Sequence, residues 1–442
     1  MALLVKIILQ RRAYLFLSSL PLTLLEIAMK KNDIEIDAKT MRVIVVGDGI
    51  GLPNGYASTS RFTLLAAALD GSVKDVEIFV ATPSEFFGKA MNDKPKGMVK
   101  NIKYQYALGT IIYSKHSLVR RIQSALGILY TAYYIIKNYR HDNFVILAYV
   151  FKVQLLAALS IAARLSGGKL VLELCEWQEA LPTLNWHTKL NNKLFSRYAT
   201  KMVDGAICIS DLIYNRLKDT KKYKNNRLHL IKIPILCDTS DFSEMSSYNH
   251  EKEEYIMFSG SFSYEHTILF ILESFSKLLD NGVSIKLYIS GGSYNPIHIE
   301  KVKDNIAKLN LTEHVKLLGF VDRSDLINYY KNARCLLIPL FDDEVSNARF
   351  PTKLAEYLLS GVPVVTNNVG EVGEILKHGI SAYMTEPGNT DEYALTIQQA
   401  MHDSKRLDIA RQGKQVAMKN FEYKAHSKPL TDMFVNLFNH FR

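Results

Sequence analysis

Short apolar runs that stop at glycine, serine or proline recur along this chain between helix-length segments, a pattern that restricts it to parallel sheets wrapped in helices. From Met41, MRVIVVGDG is a continuous apolar run ending in glycines, which is how a strand buried on both faces reads before it turns into a helix. VEIFVA (76–81), FVILA (144–148), KLVLEL (169–174) and GAICI (205–209) continue the series. Residues 236–254 then break it, being rich in Asp, Ser, Asn and Glu with little apolar periodicity. The alternation restarts with YIMFS (255–259), SIKLYIS (284–290), HVKLL (314–318), CLLIP (335–339) and VPVVT (362–366). The expected fold is α/β, with two Rossmann-like, doubly wound domains facing across a cleft. The boundaries are 41–236 for the first, 237–254 for the linker and 255–415 for the second. A helical segment at 416–442, limited upstream by Pro429, and an extension at 1–40 complete the chain.

The charge is uneven. Residues 1–240 carry 33 Lys and Arg against 18 Asp and Glu, and the remainder 21 against 26. The basic half calls for an anionic neighbour, and no nucleic-acid-binding motif or aromatic-basic platform is present, so an anionic membrane surface is the expected partner. At 116–139, Arg120, Arg121 and Lys137 are set among Leu, Ile, Tyr and Ala at helical spacing; this segment reads equally as a helix on a bilayer or as a surface helix packed on the sheet. Residues 13–29 are apolar apart from Glu26, at the short limit for a spanning helix, and read as an interfacial anchor or an upstream extension. Cys175, Cys208, Cys237 and Cys335 lack the close pairing of metal or disulfide motifs and fit a reducing compartment as small buried hydrophobes. The expected location is cytoplasmic, peripheral on the inner face of the membrane.

Two loops and one strand end carry candidate chemistry. GDGIGLPNGYASTSR (47–61) follows the first strand but does not complete a dinucleotide fingerprint; it reads as a loop with Gly55 and Tyr56 on the acceptor side of the cleft, or as a structural tight turn. NARFPTKLAEYLLSGVPVVT (347–366) is sharper. Pro351 suits the start of a helix and Gly361 its end, which places Lys353 in the first turn, where a diphosphate gains charge and amide donors. Glu356 lies on the same face, three residues on, so a ribose-binding carboxylate and an ordinary surface Lys–Glu pair are equal readings. LELCEW (172–177) ends a strand, and ligands of open sheets bind at the carboxyl ends of strands; Glu173 or Glu176 would face the cleft, with Glu176 orienting or deprotonating an acceptor hydroxyl.

KLAEYLLSGVPVVTNNVGEVGEIL closely resembles the donor-site region of glycosyltransferase family 4, which has the GT-B fold. VDGAICISDLIYNRL, KIPILCDTSDF, VKLLGFVDRSDLINYYKNARCLLIPL and HGISAYMTEPGNTDEYALTI resemble other parts of that family, so the similarity runs through most of the chain from Met41. It implies a metal-independent, retaining transfer from a nucleotide-sugar, with no cofactor. Glu356 would hold the nucleotide ribose, and Gly319, Phe320 and Val321 would line the base pocket. Arg349, Thr352 and Lys353 would meet the donor phosphates and sugar, with Gly260 and Ser261 opposite them. Three positions depart from the family pattern: Ala348 stands where its first Glu would be, and Ser261 and His266 stand where it offers Arg and Lys. Asp342, Asp343 or Glu344 is the expected substitute for the missing carboxylate, and Lys353, His266 and Arg349 for the missing cations. The implied activity is glycosyl transfer to a saccharide, with a lipid-linked one, as in cell-surface polysaccharide assembly, the expected acceptor. The alternatives are a weakly active or inactive sugar-nucleotide-binding partner subunit and a sugar-nucleotide epimerase on the same fold.

Overall fold

The computed structural model describes residues 36–55, 57–86, 90–181, 185–242, 253–293 and 295–439. The expected anchor at 13–29 and the candidate Tyr56 lie outside these.

The first sheet is built from β1 (Arg42–Gly47), β2 (Asp75–Val80), β4 (Lys96–Val99), β5 (Ile102–Tyr106), β7 (Phe144–Tyr149), β8 (Lys169–Leu174), β9 (Gly205–Cys208) and β10 (His229–Lys232). Their order is β10-β9-β8-β7-β1-β2-β5-β4, parallel except at the β4–β5 hairpin. β3 (Glu85–Phe86) and β6 (Ile112–Tyr113) pair separately. β1 and β7 are buried almost throughout, as continuous apolar runs must be when helices cover both faces. On one face lies α1 (Ala57–Leu69), joined there by the last described helix of the chain; on the other α2 (Ser117–Tyr139), α3 (Val153–Ser166) and α4 (Trp186–Met202) pack in succession, the arrangement that right-handed crossovers impose. Gly127 lets α2 press on the sheet: a Cβ there would stand 2.1 Å from the Ala81 carbonyl oxygen. The helix reading of 116–139 therefore holds, with the sheet under its buried side. A short helix, α5 (Asp211–Lys218), follows β9.

The second sheet is parallel throughout, in the order β13-β12-β11-β14-β15-β16. Its strands are β11 (Tyr255–Ser259), β12 (Lys286–Ser290), β13 (Val315–Gly319), β14 (Leu336–Ile338), β15 (Val364–Asn367) and β16 (Tyr383–Thr385). Its helices include α6 (Glu265–Asp280), α7 (Pro296–Lys308), α8 (Arg323–Asn332), α9 (Glu344–Ala348), α10 (Lys353–Leu359), α11 (Gly370–Ile375), α12 (Thr390–His402) and α13 (Arg406–Asn420). The expected boundary at 415/416 falls inside α13. The chain then crosses back, and α14 (Ser427–Asn439) buries Leu430, Met433, Phe434 and Leu437 in the core of the first domain.

The two crossings run side by side. The Cys237 amide donates to the Phe421 carbonyl at 2.8 Å, and the Tyr423 amide returns a bond to the Cys237 carbonyl at 3.0 Å. Arg61 of α1 fixes the first crossing from below. Its Nε donates to Glu173 at 2.6 Å while its two terminal nitrogens grip the carbonyls of Pro234 (2.5 Å) and Ile233 (3.0 Å). Glu173 is fully buried with one oxygen unbonded, and burial raises its carboxyl pKa despite the guanidinium beside it. It thus pins the fold and does not face the cleft, a correction to one of the two strand-end candidates. Removing one member of such a pair leaves a buried charge alone, so Arg61→Ala should cost about 3–5 kcal/mol, and Arg61→Met with Glu173→Met should recover most of it; urea unfolding of the three proteins checks this.

Candidate active site

The carboxyl ends of β11, β12 and β13 meet as three glycine turns, at Gly260, Gly291–Gly292 and Gly319. Backbone bonds zip them together: Gly260 N–H to Ser290 O (3.0 Å), Gly291 N–H to Gly319 O (2.7 Å) and Phe262 N–H to Gly292 O (3.0 Å). Gly291 has φ +115°, and a Cβ on it would lie 2.0 Å from the Gly260 carbonyl oxygen, so only glycine permits this approach. Phe320 projects from the third turn, largely exposed, with its ring against the Gly292 backbone. Val321 is half-buried beside it.

Helix α10 enters this floor from the other side. Pro351 precedes it and Gly361, at φ +75°, ends it, as the residue types require. Thr352 makes no capping bond, and Lys353 is the first helical residue. Tyr357 accepts the Ser259 amide at 2.7 Å, which fixes the helix to the end of β11. Glu356 is only 9% exposed, which rules out the ordinary surface pair. One of its oxygens accepts from Lys353 Nζ at 2.8 Å and the other from Arg323 at 2.9 Å. Burial pushes its carboxyl up, but the opposing pull of Lys353 and Arg323 prevails and holds it below the usual carboxylate value. Lys353 also sits 5.8 Å from the Tyr330 ring centroid.

Arg323 was missed by sequence reasoning. It opens α8 immediately after the Gly319–Phe320–Val321 turn and reaches from Glu356 to Asp241, 2.7 Å away, just past the first crossing. Asp241 faces Lys100 of the β4–β5 turn at 3.7 Å, and Lys100 also bonds Asp238. A chain of alternating charges thus runs from the first domain through the linker to Glu356. The available signal was the cation itself, since Arg in the first turn of a helix opposes the macrodipole unless a carboxylate receives it.

Arg349 and Glu176, expected on donor and acceptor sides, meet each other across the cleft at 3.0 Å. The Arg349 guanidinium also lies 5.1 Å from the Tyr264 ring centroid, and its Nε is buried without a hydrogen-bond partner. Three further bonds close the interface nearby. Ser210 Oγ donates to the Ala348 carbonyl at 2.8 Å, Arg216 pairs with Glu344 at 2.6 Å, and Lys232 pairs with buried Glu371 at 3.2 Å. The carboxylates expected to replace the missing glutamate are therefore occupied structurally: Asp343 caps α9, Asp342 accepts from Asn347, and Glu344 binds Arg216. Ser261 is exposed and accepts the Ser263 amide. His266 is exposed in the first turn of α6, its ring 4.9 Å from Phe341. Gly55 sits in the loop before α1, closed by Thr59 Oγ1 donating to Gly51 O at 3.0 Å; a Cβ on Gly55 would collide with Thr59, so this glycine serves the turn itself. Among the described residues no group of His, Cys, Asp and Glu is arranged to hold a metal ion.

The comparisons with known proteins converge on the same region. Residues 241–416 match the family model of Glycosyl transferases group 1. An uncharacterised glycosyltransferase of Methanocaldococcus jannaschii is 28% identical over 153 residues, 35% of this chain and 37% of that protein. The lipopolysaccharide 1,2-N-acetylglucosaminetransferase of Salmonella typhimurium is 23% identical over 189 residues, 42% of this chain and 49% of that protein. This chain thus spans half or less of the length of these relatives. In fold, Anabaena HepE, solved with UDP and glucose, aligns with 88% of this chain and 98% of its own at 16% identity and a TM-score of 0.63. The architecture is the GT-B fold, and the region that matches the group 1 model contains the Glu356 cluster, the glycine turns and Arg349.

The lowered Glu356 pKa has a definite sign. Its stabilising contribution is fully present above the ordinary value of 4.5 and is lost as pH falls through the lowered one. The stability difference between wild type and Glu356→Gln should therefore shrink below pH 4.5, as read by denaturant unfolding at stepped pH.

Proposed function

We propose that this chain is a glycosyltransferase that moves a sugar from a nucleotide-sugar to a saccharide acceptor, with retention of anomeric configuration and without a metal cofactor. The observation that carries the reading is Glu356: a buried carboxylate balanced by two cations, on a helix bonded to the end of β11, inside the region that matches the group 1 family. A carboxylate so placed accepts two vicinal hydroxyls, the demand of a ribose, and the exposed ring of Phe320 offers a base an apolar face. That HepE binds UDP and glucose in the same architecture supports a nucleotide-sugar donor. The Salmonella relative supports a cell-surface polysaccharide acceptor, for which a lipid-linked saccharide at the inner face of the cytoplasmic membrane is the natural form.

In this reading the anomeric bond breaks toward an oxocarbenium-like state and negative charge builds on the leaving diphosphate. Lys353 and Arg349 supply the fixed cations opposite that charge, in a cleft where such contacts count for more than in water. His266 lies at the edge of the same site and adds a donor if the α6 end closes on the phosphates. Glu176, on the facing domain, orients the acceptor hydroxyl once it is released from Arg349.

Two measurements test this. Thermal stabilisation by a panel of UDP-, GDP-, ADP- and dTDP-sugars should select one nucleotide class, with a gain of about 2.7 kcal/mol at 100 times the dissociation constant. Glu356→Ala should abolish that gain, and a flat response to every nucleotide would sink the proposal. Because a diphosphate must displace Glu176 from Arg349, Glu176→Gln should tighten nucleotide binding by up to about fivefold, the worth of a partly exposed pair, while lowering turnover. Titration calorimetry and initial rates separate the two effects.

A further inference from the structure

Helices α2, α3 and α4 contain 23, 14 and 17 residues, and none of these is Asp or Glu, in a chain with 44 acidic residues among 442. They lie side by side on one face of the first sheet. Their outer surface is apolar as well as basic. On α2, Leu118, Ile122, Leu126, Leu129 and Tyr133 are all exposed, and their spacing of three or four residues makes a single stripe. Lys137 continues that stripe one turn further on, its ammonium 5.8 Å from the Tyr133 ring centroid. Ile161 and Leu165 are exposed on α3, and Trp186 and Leu190 on α4. Along α4, Lys189, Lys193, Arg197 and Lys201 recur every fourth residue, all exposed, as a basic ridge with α3 between it and the α2 stripe.

We infer that this three-helix face docks on an anionic lipid bilayer, the aliphatic stripe entering the headgroup boundary and the α4 ridge meeting the lipid phosphates. The inference deepens the acceptor side of the proposed function, and rests on it only for what the docked protein would then glycosylate. Exposed Leu and Ile gain nothing from a nucleic-acid backbone but do gain from hydrocarbon, while the absence of carboxylates removes the repulsion that an anionic surface would otherwise exert. The inward side of α2 keeps its polar groups away from this face. Tyr134 and Tyr139 both turn their hydroxyls to Glu77 on β2, and Gly127 seats the helix on the sheet. Since these helices run against the strands, their N-terminal ends, with Leu118 and Trp186, lie at the strand ends that form the cleft. Docking would thus set the cleft mouth at the membrane, where a lipid-borne acceptor is presented.

The test is flotation of the full chain with vesicles of phosphatidylcholine alone or mixed with phosphatidylglycerol, at low and high salt. The wild type should bind the anionic vesicles, less so at high salt. Leu126→Glu with Leu129→Glu should weaken binding by about tenfold or more, and Lys189→Glu with Lys193→Glu and Arg197→Glu should remove its salt-sensitive part. All these positions are exposed, so both variants should keep the wild-type melting temperature and nucleotide response. Equal binding by wild type and both variants would assign the membrane contact to another part of the chain and overturn the inference. Absence of wild-type binding would overturn it too, as would vesicle-independent self-association or polyanion binding that the substitutions abolish. Loss of nucleotide-induced stabilisation in every protein would instead count against the proposed glycosyl transfer and leave the vesicle result intact.

Discussion

A carboxylate withdrawn from water must be met by a cation, and in this protein both arginines that meet this demand also hold the passage between the domains. Arg61 neutralises Glu173 inside the first domain and grips the carbonyls of Ile233 and Pro234 with its remaining nitrogens. Arg323 neutralises Glu356 in the second domain and takes Asp241 a few residues further along the same crossing. Each pair would be a weak source of stability if judged against an apolar core of the same shape. Their value lies in geometry: the two buried charges fix where one domain ends, where the other begins and how the intervening strand lies.

The site then inherits its shape from that placement. Helix α10 is held at the glycine floor because Tyr357, the neighbour of Glu356, accepts the Ser259 amide at the end of β11. Glu356 takes its second cation from the turn that carries Phe320, so the carboxylate and the aromatic wall share one support. Across the cleft, Arg349 and Glu176 satisfy each other while Ser210 holds the Ala348 carbonyl. Ala348 thus contributes through its backbone, and its small side chain is buried at the interface.

Legibility from sequence followed the strength of local signals. Strands β1, β7, β8, β11 and β12 were readable because apolar residues dominate each of them, whereas the three-residue β16, though buried, was too short to stand out. The β4–β5 hairpin was not readable either, since KGMV forms the sheet edge with no residue buried and IKYQY alternates apolar with polar residues instead of making a continuous apolar run. β10 was hidden for a related reason: HLIK is only partly buried, and its role as last strand shows only once β9 is in place beside it. In the site, Lys353 and Glu356 were legible from helical spacing and a resemblance to known donor sites. The pairing of Arg349 with Glu176 could not be, because the two residues are brought together by the closure of two domains, which no local pattern encodes. Arg323 fell between these cases, and so did Glu173, whose strand-end position suggested the cleft while the alternation of β8 turned it toward Arg61.

Helix α14 gives the order of synthesis a structural meaning. Leu430, Met433, Phe434 and Leu437 fill the core of the first domain, and Met433 lies where a side chain on Gly205 would otherwise stand. A ribosome producing this chain releases all of β1 to β10 long before these residues emerge, so the first sheet waits with one apolar flank open while the second domain folds. The sheet made first is therefore the one completed last, when α14 docks on it.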